Sequence, residues 1–277
     1  MLDRAKTSPE EPLAVRFLII ALLASSAVSA AEPPSTEVRR YKAEEARQGV
    51  AVDATHFYAV TNFEIGKYEK VTGKRVGGWK GDPKLTKHIN SCNLIEAELV
   101  CANSNYPDVP MTSSVEIFDP VTMTPKRTIP MGPGIGSLTW VDRKDGFWWA
   151  TYANYDGNGG EPGRDHRFTT FVKYDNNWQR VGAWLFPANV QDRFTPMSSS
   201  GGVWGDDDLL YITGHDHTEL YVLRLPKMGA VLEYVATIPV NFEGQAIAWD
   251  RSAKRMLYGI NRATLEVVVT KLAPVAK

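Results

Sequence analysis

The feature that most constrains this chain is a repeated pattern of short strands joined by tight turns. In its clearest copy, residues 198–217, one strand ends at Trp204, an acidic turn follows, a second strand ends at Thr213, and a polar loop carries His215 and His217. Runs rich in aromatic and β-branched residues, bounded by Gly and Asp, are typical of β-strands. Units of four such strands recur over about 40–55 residues, a period typical of β-propeller blades.

Five units of this kind follow one another along the chain. They begin near residues 48, 88, 136, 198 and 243. The fifth unit has only three strands, and a lone strand near Val38 can supply the fourth, which would close the ring and remove open strand edges. We therefore predict an all-β fold: a five-bladed β-propeller with four-stranded antiparallel blades, its last blade closed by the N-terminal strand. Residues 31–46 form a polar entry segment with this closing strand, and residues 47–273 form a single β-propeller domain.

Charge and composition limit the kinds of partner. Lys plus Arg total 31 against 32 for Asp plus Glu, a formal net charge of −1, so the chain lacks the basic excess typical of nucleic-acid binding. Eight Trp, eleven Tyr and 22 Gly favour strands and turns over helices. We expect a monomer that binds a small molecule or a glycan, with no nucleic-acid partner. The tryptophans inside predicted strands are interpreted as core between blades: Trp140, Trp148, Trp149, Trp204 and Trp249.

The first thirty residues differ from the rest of the chain. An apolar run from Phe17 to Val28 follows Arg16, and small residues precede Ala31. This pattern is typical of a secretory signal peptide, and the run is short for a membrane span. We predict a signal peptide over residues 1–30, cleaved after Ala30, and a periplasmic or secreted mature protein with no integral membrane span. An uncleaved membrane anchor is the alternative.

The two cysteines are placed symmetrically about a predicted turn. Cys92 and Cys101 flank eight residues centred on the Glu96–Ala97 bond. In a hairpin that turns there, they oppose each other as a non-hydrogen-bonded pair, with Cα atoms about 4.5 Å apart, a separation that a disulfide accepts. We predict a disulfide, which export favours. Two buried free thiols are the alternative.

Several short motifs resemble those of a known group of propellers. They are Lys67-Tyr-Glu-Lys-Val-Thr-Gly73, Ser104-Asn-Tyr-Pro107, Met111-Thr-Ser-Ser-Val-Glu116, Ile117-Phe-Asp-Pro-Val-Thr122, Gly136-Ser-Leu-Thr-Trp140, Thr213-Gly-His-Asp216 and Glu243-Gly-Gln245. Through them the chain resembles the secreted YncE-like and lactonase-like β-propeller proteins, and most closely a bacterial group loosely labelled cycloisomerases. The resemblance covers nearly all of residues 47–272. It implies a propeller fold and an isomerase, lyase or lactonase activity.

Propeller topology predicts where a site would lie. The innermost strand of each blade begins at one face, and the loop between the second and third strands returns to it, so polar residues from both places converge on one funnel. Four of these residues could act as general acids and bases: His88, His215, Asp216 and Glu243. Eight more are predicted to bind the ligand: Asn90, Asn103, Asn105, Tyr106, Tyr155, Arg167, Gln245 and Arg262.

The proposed chemistry depends on the two histidines. An imidazole titrates near neutral pH and can shuttle protons, and a neighbouring carboxylate can orient it or hold a cation. Tyr106, Tyr155 and Arg167 could bind a carboxylate or sugar hydroxyls. In the alternative interpretation, residues 213–216 are a structural turn whose aspartate accepts backbone N–H groups.

The sequence establishes no cofactor. Asp216 and Glu243, with amides and backbone carbonyls, could bind Ca²⁺. His215, His217 and His88 are a weaker set for zinc, because compact ligand spacing is missing. The glycine-rich segment 157–163 follows no strand-to-helix pattern and is interpreted as a mobile lid rather than a phosphate loop.

Two functions therefore stay open. The first is an exported lyase, isomerase or lactone hydrolase that acts on a small polar or sugar-like molecule in the funnel. The second is a non-catalytic propeller that binds a glycan, a peptide or a protein. The fold alone does not decide between them, since propellers support both. The contacts of His215 and His88 do bear on the choice, because acid–base catalysis needs groups within hydrogen-bonding reach.

Overall fold

The computed structural model describes residues 35–276, and within that part of the chain the fold is almost entirely β. Twenty strands form five four-stranded antiparallel sheets. The predicted signal peptide, residues 1–30, lies outside the described residues. No helix between residues 35 and 276 is both long enough and apolar enough to cross a bilayer.

Four of the blades are each built from consecutive strands. Blade 1 contains β2 (Gly49–Val52), β3 (His56–Val60), β4 (Glu64–Glu69) and β5 (Arg75–Lys80). Blade 2 contains β6 (His88–Ile95), β7 (Glu98–Ser104), β8 (Thr112–Asp119) and β9 (Thr124–Pro133). Blade 3 contains β10 (Ser137–Lys144), β11 (Phe147–Ala153), β12 (Thr170–Tyr174) and β13 (Arg180–Leu185). Blade 4 contains β14 (Gly201–Trp204), β15 (Leu210–Thr213), β16 (Glu219–Arg224) and β17 (Glu233–Pro239).

The last blade combines the two ends of the propeller. It contains β18 (Glu243–Trp249), β19 (Met256–Asn261) and β20 (Glu266–Leu272), with β1 (Ser35–Lys42) as its outermost strand. β1 pairs antiparallel with β20, from Ser35 opposite Leu272 to Lys42 opposite Glu266. The predicted five blades and the closing N-terminal strand are both confirmed.

The inner strands of the blades are buried along almost their whole length, as in β2, β14 and β15, because each sheet packs against a neighbouring blade on both faces. The innermost strands β2, β6, β10, β14 and β18 contact one another in a closed ring. One apolar cluster fills each interface between neighbouring blades, including the interface between blades 5 and 1, where Ala248, Tyr258 and Val267 meet Val50 and Phe57. Hydrophobic burial is therefore spread around the whole ring rather than gathered in one core.

Four of the five predicted core tryptophans are buried between blades. These are Trp140, Trp149, Trp204 and Trp249. Trp148 is the exception: it is partly exposed and stacks on Trp178, with ring centroids 4.8 Å apart.

The predicted disulfide is confirmed. Cys92 and Cys101 are direct partners in the β6–β7 hairpin and are bonded, with a Cα–Cα distance of 4.0 Å. Glu96 and Ala97 form the turn, and both have positive φ, as the tightest two-residue hairpin turns require.

Two short helical segments depart from the strand architecture within residues 35–276, one in the β11–β12 loop of blade 3 and one in the connection between blades 3 and 4. A 3₁₀ turn covers His166–Phe168 and a single helical turn, α1, covers Ala188–Gln191. Both are too short for a hydrophobic period to reveal them in the sequence.

Candidate functional site

The starts of the innermost strands and the loops between second and third strands meet at one face, which we call the upper face. Several backbone and side-chain hydrogen bonds join neighbouring blades there. Between blades 4 and 5, Thr213 Oγ1 donates to the carbonyl of Gln245 at 2.7 Å, and between blades 5 and 1, the Ala246 amide donates to the carbonyl of Gln48 at 3.1 Å. Between blades 3 and 4, Trp140 Nε1 donates to Ser199 Oγ at 3.2 Å, and between blades 2 and 3, Asn90 Nδ2 donates to the carbonyl of Leu138 at 2.8 Å. The loops of this face therefore stand on a rigid support.

His215 is held between a carboxylate and a guanidinium. Its Nδ1 lies 2.5 Å from Asp216 Oδ1, and its Nε2 lies 3.0 Å from Arg262 Nη1 in the β19–β20 loop. A guanidinium can only donate, so Nε2 is the acceptor of that bond. The proton of the neutral ring is therefore on Nδ1, where Asp216 accepts it, and the lone pair on Nε2 faces Arg262.

The backbone of the His215 loop lies unusually close to β18. A Cβ placed on Gly244 would lie 2.5 Å from the Gly214 carbonyl oxygen and 3.0 Å from the His215 carbonyl carbon. Next to it, Glu243 Oε2 accepts a hydrogen bond from the Arg262 amide at 3.2 Å. Gly244 therefore fixes the position of the loop that carries His215. Glu243 fixes the position of Arg262 by accepting a hydrogen bond from the Arg262 backbone amide.

Arg262 is the cation of the site without a protein counter-ion. Within residues 35–276 no carboxylate lies at ion-pairing distance from its guanidinium, although it is partly buried. By contrast, Arg75 is paired with Glu45 at 2.8 Å and Arg193 with Glu219 at 2.7 Å. A partly buried guanidinium without a partner carboxylate is a ready binding group for an anionic ligand.

Arg262 also lines a cavity of about 570 Å³ between blades 5 and 1. Gln48, Asn62, Phe63 and Lys80 line the same cavity, and Gln48 Nε2 donates to Asn62 Oδ1 at 2.7 Å. Glu44, Glu45, Glu64 and Arg47 complete the charged part of the lining. The cavity therefore combines amides, cations, carboxylates and one aromatic ring, and its volume lies within the range of small-molecule sites.

His88 lies deeper than His215 and is electrostatically coupled to it. Burial, followed by the nearby positive charge of Arg262 and a smaller effect of His215, lowers the pKa of His88 to about 4. At neutral pH this imidazole is therefore uncharged. Its ring lies 5.0 Å from that of Tyr106, between centroids.

The predicted ligand-binding residues fall into different settings. Tyr106 is partly buried beside His88, whereas Tyr155 belongs to the core beneath it, where burial raises the pKa of its phenol. Asn105 holds its own loop, since its side chain accepts from the Thr112 amide and donates to the Pro110 carbonyl. Arg167 points away into solvent, its side chain 69% exposed and bound to Asp165.

Three buried amides remain from the predicted set. Asn90 ties blade 2 to blade 3, and Asn103 Nδ2 donates to Ser114 Oγ at 3.0 Å. Gln245 is 2% exposed, and its Nε2 has no hydrogen-bond partner within the described chain. Asn103 and Asn105 line a separate cavity of about 730 Å³ over blade 2 rather than the cavity of Arg262.

The expected metal ligands do not assemble as a cluster. Between residues 35 and 276, one group of three His or carboxylate side chains brings its ligand atoms together: Asp156, Asp165 and His166. Asp216 and Glu243, the residues expected for calcium, belong to no such group. His217 instead accepts a hydrogen bond from Arg193, with His217 Nδ1 and Arg193 Nη2 3.1 Å apart.

Sequence reasoning missed the group at Asp156. Its carboxylate accepts from Thr195 Oγ1 at 2.7 Å and lies 2.6 Å from His166 Nδ1, so it joins the β11–β12 loop to the β13–β14 loop. The only signal in the sequence was that Asp156, Asp165 and His166 flank the glycine-rich segment 157–163.

Comparison with known proteins identifies no family for this chain. No family model matches the chain, and no curated protein matches it. A chain from a solved structure described as "Crystal Structure of Mitotic Checkpoint Complex" is similar over 95% of this chain and 100% of that chain, at 10% identity and a TM-score of 0.46. What the fold and the site define is a class: a five-bladed β-propeller with a polar upper face.

Proposed function

We propose that this protein is an exported β-propeller enzyme that acts on a small polar molecule bearing an anionic oxygen, as an isomerase, lyase or lactone hydrolase. The observation that supports this most is the position of His215, whose Nδ1 is held by Asp216 and whose Nε2 faces Arg262. An oriented imidazole beside a cation combines a general base with a group that stabilises developing negative charge.

The chemistry follows from that pairing. A ligand carboxylate or carbonyl oxygen that binds Arg262 would replace its hydrogen bond to His215 and leave Nε2 free to accept a proton. The proton would come from a carbon next to the ligand carbonyl, in an isomerase or lyase, or from water that attacks a lactone carbonyl. In the second case the ring C–O bond breaks, and the imidazolium returns its proton to the departing alkoxide.

The role of His88 is narrower than the sequence suggested. Because the pKa of His88 is lowered to about 4, its imidazole is a poor proton acceptor at neutral pH. We propose that His88 and Tyr106 form a neutral wall of the site, while His215 carries the proton transfer.

Export is the second part of the proposal. It rests on the apolar run Phe17–Val28, followed by small residues up to Ala30, and it is supported by the disulfide, which persists in oxidising compartments. N-terminal sequencing of the protein purified from the periplasm or medium should begin at Ala31.

The test of the enzyme is a screen of lactones, sugar acids and small unsaturated carboxylic acids for binding and turnover. For a hit, His215→Asn should lower kcat by about 10²–10⁴-fold with little change in affinity, because it removes the base. Arg262→Gln should weaken binding at least about tenfold, because it removes a charge-assisted hydrogen bond.

His217→Asn is the matched control, since His217 lies in the same loop and contacts Arg193 instead of Arg262. It should leave kcat unchanged. Equal turnover by wild type and His215→Asn would exclude the proposed base, and binding with no turnover by wild type would assign a non-catalytic ligand-binding propeller.

A further inference from the structure

We infer that the β11–β12 loop of blade 3, residues 154–169, is a strap that encloses the blade 2 wall of the proposed site, and that Glu161 is its positioning residue. The strap contains the glycine-rich segment 157–163. It leaves its own blade and lies against the β7–β8 loop of blade 2, which carries Tyr106. Because Tyr106 lies beside His88, the strap bears directly on the surroundings of this histidine.

Four hydrogen bonds form a closed ring that holds the strap on blade 2. Glu161 Oε1 accepts from the Met111 amide at 2.5 Å, and the Met111 carbonyl accepts from the Gly134 amide at 3.3 Å. Arg164 Nη1 donates to the Gly134 carbonyl at 2.9 Å, and the Arg164 amide donates to the Glu161 carbonyl at 3.0 Å. The bond from Met111 is charge-assisted, since a carboxylate accepts it, and such bonds are the stronger kind. Glu161 is therefore the side chain that fastens the strap.

The backbone of the strap packs directly on Tyr106. Gly159 has a φ of 79° and follows Asn158 in a tight turn, closed by the Gly160 amide donating to the Gly157 carbonyl at 2.8 Å. A Cβ placed on Gly159 would overlap the ring of Tyr106. The contact therefore leaves no room for a side chain at residue 159.

The strap and the charged loops act on His88 in different ways. His88 is 9% exposed, and burial is the largest cause of its lowered pKa. The charged or titratable groups that also affect it, Arg262 and His215, come from loops of blades 5 and 4. Through Tyr106 the strap keeps water from the imidazole, whereas Arg262 and His215 act by charge. Opening the strap should therefore change the hydration of His88 and leave the contact of His215 with Arg262 in place.

Amide exchange and histidine titration of the purified protein, both followed by NMR, test the strap without a substrate. In Glu161→Ala the Met111 amide should exchange at least about tenfold faster, because its acceptor is gone. The pKa of His88 should rise from about 4 toward its usual value near 6.5, because water reaches the ring. Asn158→Ala is the matched control: Asn158 is exposed in the same loop, has no hydrogen bond within residues 35–276, and its loss should change neither measurement.

Two glycines give a second test that does not depend on Glu161. Gly159 and Gly163 both have a φ of 79°, so alanine is equally strained at either position. A Cβ at Gly163 meets no atom within 4 Å, whereas one at Gly159 meets Tyr106. Gly159→Ala should therefore raise the pKa of His88, and Gly163→Ala should leave it unchanged. Thermal unfolding establishes which variants are folded, and this pair decides the question if Glu161→Ala is not.

The effect on a substrate rests on the proposed function. For a substrate found in the screen, Glu161→Ala should raise KM at least about tenfold and change kcat less, because the contacts of His215 are untouched. If the screen finds no substrate, the proposed function fails while the NMR measurements still decide on the strap. The inference is overturned if Glu161→Ala leaves both Met111 exchange and the pKa of His88 unchanged, or if the two glycine variants shift that pKa equally.

Discussion

At the scale of single residues, the polar side chains of the upper face differ in whether a neighbouring residue neutralises their charge. The ring of His215 has a partner on each nitrogen, while the guanidinium of Arg262 lacks a carboxylate within the described chain. His88 lies close enough to sense the charge of Arg262 and the imidazole of His215. Titration of the histidines can therefore test how His215, Arg262 and His88 interact.

His88 should stay neutral down to about pH 4. Its folded pKa lies below the usual value near 6.5, so the stabilisation it contributes is present above pH 6.5 and is lost as the pH falls toward 4. NMR titration of the imidazole resonances, assigned with His88→Gln, measures this directly. In Arg262→Gln the pKa of His88 should rise, because a nearby positive charge is gone, and an unchanged value would show that the two groups do not interact.

Gly244 controls the position of His215 through close packing. Gly244→Ala would place its Cβ 2.5 Å from the Gly214 carbonyl oxygen, so the loop must move. We expect a loss of stability of about 1–3 kcal/mol, measured by urea unfolding, and lower turnover of any substrate found in the screen. Gly157→Ala is the control, since a Cβ there meets no atom within 4 Å. An equal effect of both substitutions would contradict the packing argument.

At the scale of strands and hairpins, buried polar groups join neighbouring blades. Asp142 at the lower end of β10 accepts from Asn93 Nδ2 of blade 2 at 3.0 Å, from the Arg143 amide at 2.8 Å, and from the Trp204 amide of blade 4 at 2.8 Å. One carboxyl group, 3% exposed, therefore holds three blades. In the same way Lys70 of blade 1 binds Asp250 of blade 5, with Lys70 Nζ and Asp250 Oδ2 2.5 Å apart.

The stability of the three-blade contact should depend on pH. Burial raises the pKa of Asp142 to about 6, so folding favours the protonated form. The contribution of Asp142 to the free energy of unfolding is greatest below pH 4 and is lost as the pH rises through 6, a change of roughly 1–3 kcal/mol. Urea unfolding at pH 4, 5, 6 and 7 should show the free-energy difference between wild type and Asp142→Asn shrinking as the pH rises. A constant difference would contradict the raised pKa.

The disulfide should stabilise blade 2 by closing a short loop. Cys92→Ala/Cys101→Ala should lower the free energy of unfolding by about 2–3 kcal/mol in the chain-entropy model, measured by urea unfolding under oxidising conditions. Reductant should destabilise wild type by a similar amount and leave the double variant unaffected. A reductant effect on the double variant would show that another cause is at work.

At the scale of the whole molecule, the architecture followed from the sequence more readily than the site did. Five repeated units and a spare strand near Val38 predicted the ring and its closure, because strand alternation and turn residues are local signals. The pairing of Cys92 with Cys101 across a hairpin was predictable for the same reason. The ring, its closure and the disulfide are each indicated by residues that are close together in the sequence.

The site depends instead on side chains from different blades, which no local pattern specifies. The contact of His215 with Arg262 joins loops of blades 4 and 5, and Tyr155 turned into the core instead of the rim. Arg167 was grouped with the site because its loop belongs there, but Asp165, two residues away, holds its side chain in solvent. Their roles in binding and catalysis stay predictions.

Closure of the ring should be required for stability. A chain that begins at residue 43 lacks β1 and leaves the edge of β20 open to solvent and to other chains. We expect it to unfold at lower temperature and to self-associate, as measured by thermal unfolding and size-exclusion chromatography. A chain that begins at residue 35 keeps β1 and should match a chain that begins at Ala31. Similar behaviour of the two truncated chains would contradict the role of β1.

Pairing of β1 with β20 also fixes when folding can finish. Ser35 lies opposite Leu272, so the partners come from opposite ends of the propeller sequence. Blades 1–4 can each form from consecutive strands, but blade 5 has to wait for the last strand to be synthesised. Contacts between distant residues form slowly, because the entropy of a long loop is lost before the contacts form. The ring therefore closes late, a timing compatible with the export proposed above.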